Sequence, residues 1–293
     1  MGGMEERFPI FRISRSDVEY PVQLKNILDP PEYLYIRGCG ELLRAHCFAA
    51  IGSRAVSQYG AAAAHRIIPE VAQHFVIVSG MAIGADAVAH VETLKAGGKT
   101  IAVLGSGIDD RSIYPKTHIS LAYSILESGG CIISEYPPDT GAHPRFFPAR
   151  NRIIAGLSLG ILIIEAARES GTMITARLAL DYSRDVFAVP GSIFSKVSEG
   201  TNELLGKGAV VATRALDILE YYGIAPAAIQ PLFELSRDER HVYDLLSCAA
   251  SEFDELLKKS AFDAPHLMGV LSSLELQGLI GKQNGTIVVL APH

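Results

Sequence analysis

The stretch Phe75-Val-Ile-Val-Ser-Gly-Met-Ala-Ile-Gly-Ala-Asp-Ala-Val-Ala-His-Val-Glu-Thr-Leu-Lys-Ala96 decides the fold. Its first four residues are apolar without alternation, as in a strand covered on both faces. A short glycine-rich turn, Ser79 to Asp86, follows. Ala85 to Ala96 then carries the spacing of a helix. This strand, glycine turn and helix recur along the chain. Strands are expected at 48–52, 75–79, 100–104, 131–134, 160–165 and 186–189. Helices are expected at 58–73, 85–96, 117–128, 148–157 and 172–184. Such alternation predicts an α/β fold built on a doubly wound parallel sheet, Rossmann-like in outline. Ligands on such sheets bind outside the carboxyl ends of the strands.

Residues 1–225 are read as this domain, with a turn-rich entry that ends in one more strand before Gly38. The stretch Tyr221 to Pro231 reads as a linker. Residues 231–293 read as a small winged-helix-like domain: about three helices, then a hairpin over 279–282 and 286–290. The Asn284-Gly285 pair is its turn signal. This tail holds nine acidic residues against five basic ones, a net of −4. That balance favours a protein-binding or structural module over a DNA-binding one.

The whole chain has 293 residues and a net charge of −6, so any anion site must be a local patch. Its four cysteines, at 39, 47, 131 and 248, include no Cys-x-x-Cys pair. A zinc or redox site is not expected, and scattered cysteines fit a cytoplasmic protein. The longest apolar stretch, Leu157 to Ala167, is too short to cross a membrane.

The expected carboxyl ends share one chemistry. They carry Gly52-Ser53-Arg54, Gly80 through Gly84, Gly105-Ser106-Gly107, Ser170-Gly171-Thr172 and Pro190-Gly191-Ser192. Glycine lets the backbone approach a ligand, and free N–H groups at helix starts favour anions. The third glycine of the dinucleotide fingerprint is missing after Gly107, and no triphosphate P-loop ending occurs, so no cofactor is expected. Arg54, Arg145, Arg150 and Arg152 supply positive charge, and no acid lies between Asp139 and Glu165. An arginine early in a helix without a local acid points to an anion partner. Phe147 is open to two readings, a platform for base stacking or a residue covering the sheet. Asp86 and His90, one turn apart, fit a helix cap and a packed histidine better than an acid–base pair. Glu165 reads as a structural partner for an arginine rather than a catalytic base.

These residues, with Val78 to His90, Phe147 to Ser158, Ser170 to Ala176 and Phe187 to Ser192, resemble the DNA processing protein A (DprA/Smf) family from about Tyr20 to Thr213. The helical N-terminal domain of many members is not expected here. The resemblance implies an extended Rossmann fold that binds single-stranded DNA, protects incoming strands and helps load the RecA recombinase in natural transformation. It also implies a homodimer without catalysis. Carried over by residue, it places Arg54, in its Gly-Ser-Arg run, and Arg150, Asn151 and Arg152 on the DNA-binding rim; the strand-end chemistry adds Gly52, Ser53, Gly80, Gly84, Gly105, Phe147, Gly171 and Thr172. Lys207 falls in a segment similar to a region near that rim. The alternative is a nucleotide-binding or nucleotide-monophosphate-hydrolysing protein of the lysine-decarboxylase-like class. Thr175 stands where that class carries its glutamate.

Overall fold

The computed structural model describes residues 7–224, 235–248, 251–276, 279–283 and 286–289. They form two compact units, divided between Ala225 and Pro226. The first contains, in chain order, β1 (Ile10–Ser14), α1 (Val22–Lys25), β2 (Tyr33–Gly38), β3 (Cys47–Ile51), α2 (Gln58–Val71), β4 (Val76–Ser79), α3 (Ala85–Lys95), β5 (Thr100–Val103) and α4 (Ile119–Glu127). It continues with β6 (Cys131–Ser134), α5 (Phe146–Leu157), β7 (Gly160–Ile163), α6 (Gly171–Asp181), β8 (Asp185–Ala188), α7 (Glu199–Gly206), β9 (Val210–Val211) and α8 (Ala215–Tyr221).

The nine strands make one sheet in the order β1-β2-β6-β5-β4-β3-β7-β8-β9. From β6 to β9 every neighbouring pair is parallel, whereas β1 and β2 are antiparallel additions at one edge. The chain runs outward from β3 through β4 and β5 to β6, then returns to start β7 on the other side of β3. The strand order therefore reverses between β3 and β7, with Ile51 opposite Ile163 at their carboxyl ends. A crevice at this point is where open α/β sheets bind ligands.

The central strands are buried at every position, because helices cover both faces. Alternate residues divide between two cores. Ala49, Ile51, Val78, Val103 and Ile163 join Ile153, Ile154 and Leu157 of α5 and Ala176 of α6. Phe48, Ala50, Ile77, Leu162 and Phe187 join Ala64, Ile67 and Ile68 of α2, with Ala89 of α3 and Ile218 of α8. Burial of each large apolar side chain contributes roughly 1.5–3 kcal/mol, so this double cover is what holds the rim loops in register.

Most element ends differ from the sequence reading by one to three residues, and two differences bear on the site or the sheet edge. Helix α5 begins at Phe146 rather than Pro148, which moves Arg150 into the second turn. Strand β1 has no counterpart in that reading.

The second unit contains α9 (Arg237–Cys248), α10 (Phe253–Ser260), α11 (Ala264–Leu276), β10 (Ile280–Gln283) and β11 (Thr286–Val289). The last two pair antiparallel, Gln283 opposite Thr286. Its core gathers Val242, Leu246, Leu256, Leu267, Leu274, Ile280 and Ile287. The Asn284-Gly285 turn and most of the Tyr221–Pro231 linker lie outside the described residues.

Candidate functional site

A cleft of about 710 Å³ opens at the switch point between β3 and β7. Gly52, Ser53, Arg54, Phe147, Arg150, Asn151, Gly171 and Thr172 line it, with Asp86, Tyr114 and Ser170. A smaller hollow of about 190 Å³ adjoins it, lined by Gly80 and Gly105 together with Arg54, Tyr114, Phe147 and Arg150. Gly84, Arg152 and Lys207 line neither.

The loops are fixed by close packing. Gly84 has φ +89° and ψ −131°, a conformation that glycine alone adopts readily. A Cβ there would stand 2.4 Å from the Ser53 carbonyl oxygen and 2.5 Å from that of Arg54. A Cβ on Gly80 would stand 2.5 Å from both terminal nitrogens of Arg150 and from Asp86 Oδ2. The amide of Ala85 donates to the Ser53 carbonyl at 3.0 Å. The Thr172 hydroxyl donates to the Gly52 carbonyl at 3.0 Å and so ties the two switch-point loops together. Asn151 donates from Nδ2 to the Gly171 carbonyl at 3.4 Å and accepts from Arg150 Nε at 3.2 Å.

The arginines have three different fates. Arg54 is exposed and makes no ion pair among the described residues; its guanidinium lies over the Phe147 ring, 5.5 Å from the centroid. Arg150 is 4% exposed and donates to the carbonyls of Gly80 and Val103, the strand ends of β4 and β5. Burial pushes its guanidinium down to about 10, opposed by the carboxylate of Asp86 and reinforced by the charge of Arg54. It remains a cation at neutral pH. Arg152 leaves the cleft altogether. Its Nη1 and Nη2 meet both Glu135 oxygens at 3.0 and 2.6 Å, and its Nε meets Asp29 at 3.2 Å. The expectation that arginines 150 and 152 lack acidic neighbours is therefore corrected: both have them, delivered from other loops.

Lys207 pairs with Glu203 at 2.5 Å, and Arg168 meets the same carboxylate at 3.2 Å. Glu165 is buried and accepts from the Ser57 amide at 2.8 Å and hydroxyl at 2.5 Å. It is a structural partner, but of a serine cap rather than an arginine. Ser57 in turn accepts from the Gly60 amide and caps α2. Asp86 accepts from the Ala82 amide at 3.3 Å. His90 is fully buried, with Nδ1 2.7 Å from the Thr100 hydroxyl. That hydroxyl donates to the Ile77 carbonyl, so Nδ1 carries the proton. Burial first, then the charges of Arg150 and His118, push His90 down to about 3. Neither residue is placed as a proton shuttle.

The start of α6 is different from that of α2. No side chain caps it, and the Ser170 hydroxyl beside it is buried without a partner. An uncapped helix start, an unpaired Arg54 and a buried Arg150 thus face one cleft, a combination that attracts anions. Tyr114, 5.7 Å from Phe147 between ring centroids, adds an aromatic wall that sequence reasoning missed. It lies far along the loop after β5, and no local pattern marks it. Phe146 instead stacks on Tyr136 at 4.0 Å.

Comparisons with known proteins agree with this geometry. Residues 12–223 match the family described as DNA recombination-mediator protein A, and residues 225–286 match a DprA winged helix domain. Protein Smf of Escherichia coli is 39% identical over 92% of this chain and 75% of its own. The crystal structure of DNA processing protein A from Streptococcus pneumoniae is 42% identical, with a TM-score of 0.68 over 73% of this chain and 74% of that one. The Helicobacter pylori protein, whose structure is described by its single-stranded DNA binding mode, is 32% identical, with a TM-score of 0.65 over 73% of this chain and 96% of that one.

Proposed function

Since the chain belongs to the DNA recombination-mediator protein A family, we propose that its switch-point cleft holds single-stranded DNA by the phosphate backbone. The observation that carries this reading is that the unpaired Arg54 and the uncapped α6 start at Ser170 line one cleft. Gly52, Ser53, Gly171 and Thr172 shape the phosphate cradle, and Asn151 fixes its far wall. Gly80, Gly84 and Gly105 let the supporting loops close. Phe147 and Tyr114 offer ring faces for bases. Phosphate contacts position a strand without reading its sequence, so little sequence preference follows.

Arg150 acts beneath the surface, by neutralising the strand-end carbonyls. Arg152 and Lys207 serve the fold in this reading, through Glu135 and Glu203. The protein acts as a mediator rather than an enzyme. Thr175, where a nucleotide hydrolase would place its glutamate, spends its hydroxyl on the Gly171 carbonyl at 3.3 Å. Loading of the RecA recombinase, a homodimeric state and a protein-binding role for the second unit complete the proposal.

The test is a titration of the full chain with single- and double-stranded oligonucleotides, with excess mononucleotide as competitor. Tight single-strand binding that mononucleotide does not displace is expected. Preferential mononucleotide binding with release of free base would overturn the reading.

A further inference from the structure

The carboxyl rim continues past the cleft to the loop after β8, which gives the cleft none of its lining residues. This loop runs Pro190-Gly-Ser-Ile-Phe-Ser-Lys196. Phe194 is 92% exposed and Ile193 81% exposed. Phe194 has no ring partner and Lys196 no ion pair among the described residues. A single exposed apolar residue needs no explanation, but this one stands on a braced loop. Asn202 holds both the amide and the carbonyl of Gly191, at 3.2 and 3.0 Å. The Tyr59 hydroxyl donates to the Pro190 carbonyl at 2.6 Å. The Phe194 amide donates to the Ser192 hydroxyl at 3.2 Å.

A cavity of about 500 Å³ lies beside this loop, lined in part by Ser57, Tyr59, Glu165, Ser192 and Ser195. It shares two walls with the switch-point cleft. The loop after β3 gives Gly52 to Ala55 to one and Ser57 to the other, and the loop after β7 gives Ala167 to one and Glu165 to the other. A polymer leaving the cleft along the rim reaches this cavity next.

We propose that Phe194 is a second base-stacking platform for the same single strand, with Lys196 meeting its phosphate. This rests on the reading of the cleft given above. The chemistry is related to that of Arg54 and Phe147: a ring and an unpaired cation, here two residues apart on a loop that hydrogen bonds hold still. Stacking on aromatic faces is tolerant of sequence, as the cleft's phosphate contacts are. From β5, whose end Phe147 covers, to β8 there are four interstrand steps, roughly 19 Å at about 4.8 Å each. A strand must span that distance to use both rings.

The experiment is fluorescence anisotropy of the full chain with oligothymidylates of about 4 and about 16 nucleotides, a range typical of such sites. Phe194→Ala should weaken the longer one five-fold or more and leave the shorter one unchanged. The chain has no tryptophan, so Phe194→Trp adds a unique fluorophore, which the longer oligonucleotide should quench. Wild-type affinity in Phe194→Ala, with Arg54→Ala weakened, would overturn this proposal and leave the cleft standing. Equal loss at both lengths would put Phe194 in the first cleft and remove the second platform. Failure of the wild type to bind either oligonucleotide would remove both readings. A change of sedimentation with unchanged DNA affinity would assign the ring to a second copy of the chain.

Discussion

Replacing Arg54 with alanine and Arg152 with alanine should separate DNA binding from stability in opposite directions. Arg54 is exposed and bound to no carboxylate among the described residues, so its loss should change stability by less than about 0.5 kcal/mol. It should remove one phosphate contact. Each such contact contributes about −0.7 to the log–log salt slope for single strands, which at about 0.1 M salt is roughly a five-fold loss of affinity. Arg152 is the reverse. Its side chain is 14% exposed, and its partner Glu135, 16% exposed, receives both terminal nitrogens. Removing one member of a largely buried pair leaves the other desolvated; because some solvent reaches this one, about 2–4 kcal/mol is expected. For a domain of this size that lowers the Tm by roughly 5–12 °C. The assay is a thermal melt of each variant, and anisotropy titrations at four salt concentrations. A flattened salt slope in Arg152→Ala with an unchanged slope in Arg54→Ala would refute the assignment, because phosphate would then meet the guanidinium that the structure commits to carboxylates.

Gly84→Ala should lose about 2 kcal/mol or more in a denaturant melt and weaken oligonucleotide binding with it, since its Cβ meets the Ser53 carbonyl at 2.4 Å; a neutral outcome would mean that the Gly-Ser-Arg loop is not braced there. His90 is held neutral when folded and gains a proton when unfolded, so the unfolded chain binds more protons between about pH 6.5 and the folded value of about 3. Stability from this residue is thus fully present above pH 6.5 and falls by about 1.4 kcal/mol per pH unit below it. Wild type should lose about 2 kcal/mol more than His90→Gln between pH 7 and pH 5, measured by denaturant melts; parallel losses would disprove the buried neutral imidazole. Phe147→Ala should cost single-strand affinity five-fold or more, with Phe147→Trp retaining it. A loss of about 3–5 kcal/mol of stability at unchanged affinity would instead make Phe147 a core residue.

The central sheet was legible because its strands are uninterrupted apolar runs, and only a strand covered on both faces can be apolar at every position. Strand β1 fails that criterion. Its Phe11 and Arg12 are exposed and it pairs only with β2, so Phe-Arg-Ile-Ser shows neither a continuous run nor clean alternation. Strand β9 has two residues and carries no periodicity at all. The rim loops were legible for a related reason. Glycines and small hydroxyl residues after each strand mark where backbone must pass close to something. What they pass close to was not legible: Gly80 makes room for Arg150 and Asp86.

The acid-free window from Asp139 to Glu165 shows where sequence distance and spatial distance part. Helix α5 lies across the sheet, so the acids that reach it come from loops at other strand ends: Glu135 just after β6, Asp29 before β2, and Asp86 at the start of α3. Only the first is near in sequence. This crossing gives Arg150 a role that no motif describes. The carboxyl end of a parallel sheet presents carbonyl oxygens, whose partial negative charge opposes an incoming phosphate. Arg150 covers two of them, at Gly80 and Val103, while the nearby Asp86 offsets part of its charge. The edge that should repel a polyanion thus holds a buried guanidinium, in a chain that is acidic overall. On the proposed reading a single exposed arginine can then complete the site, because the buried one already satisfies two of the carbonyls on which a phosphate would bear.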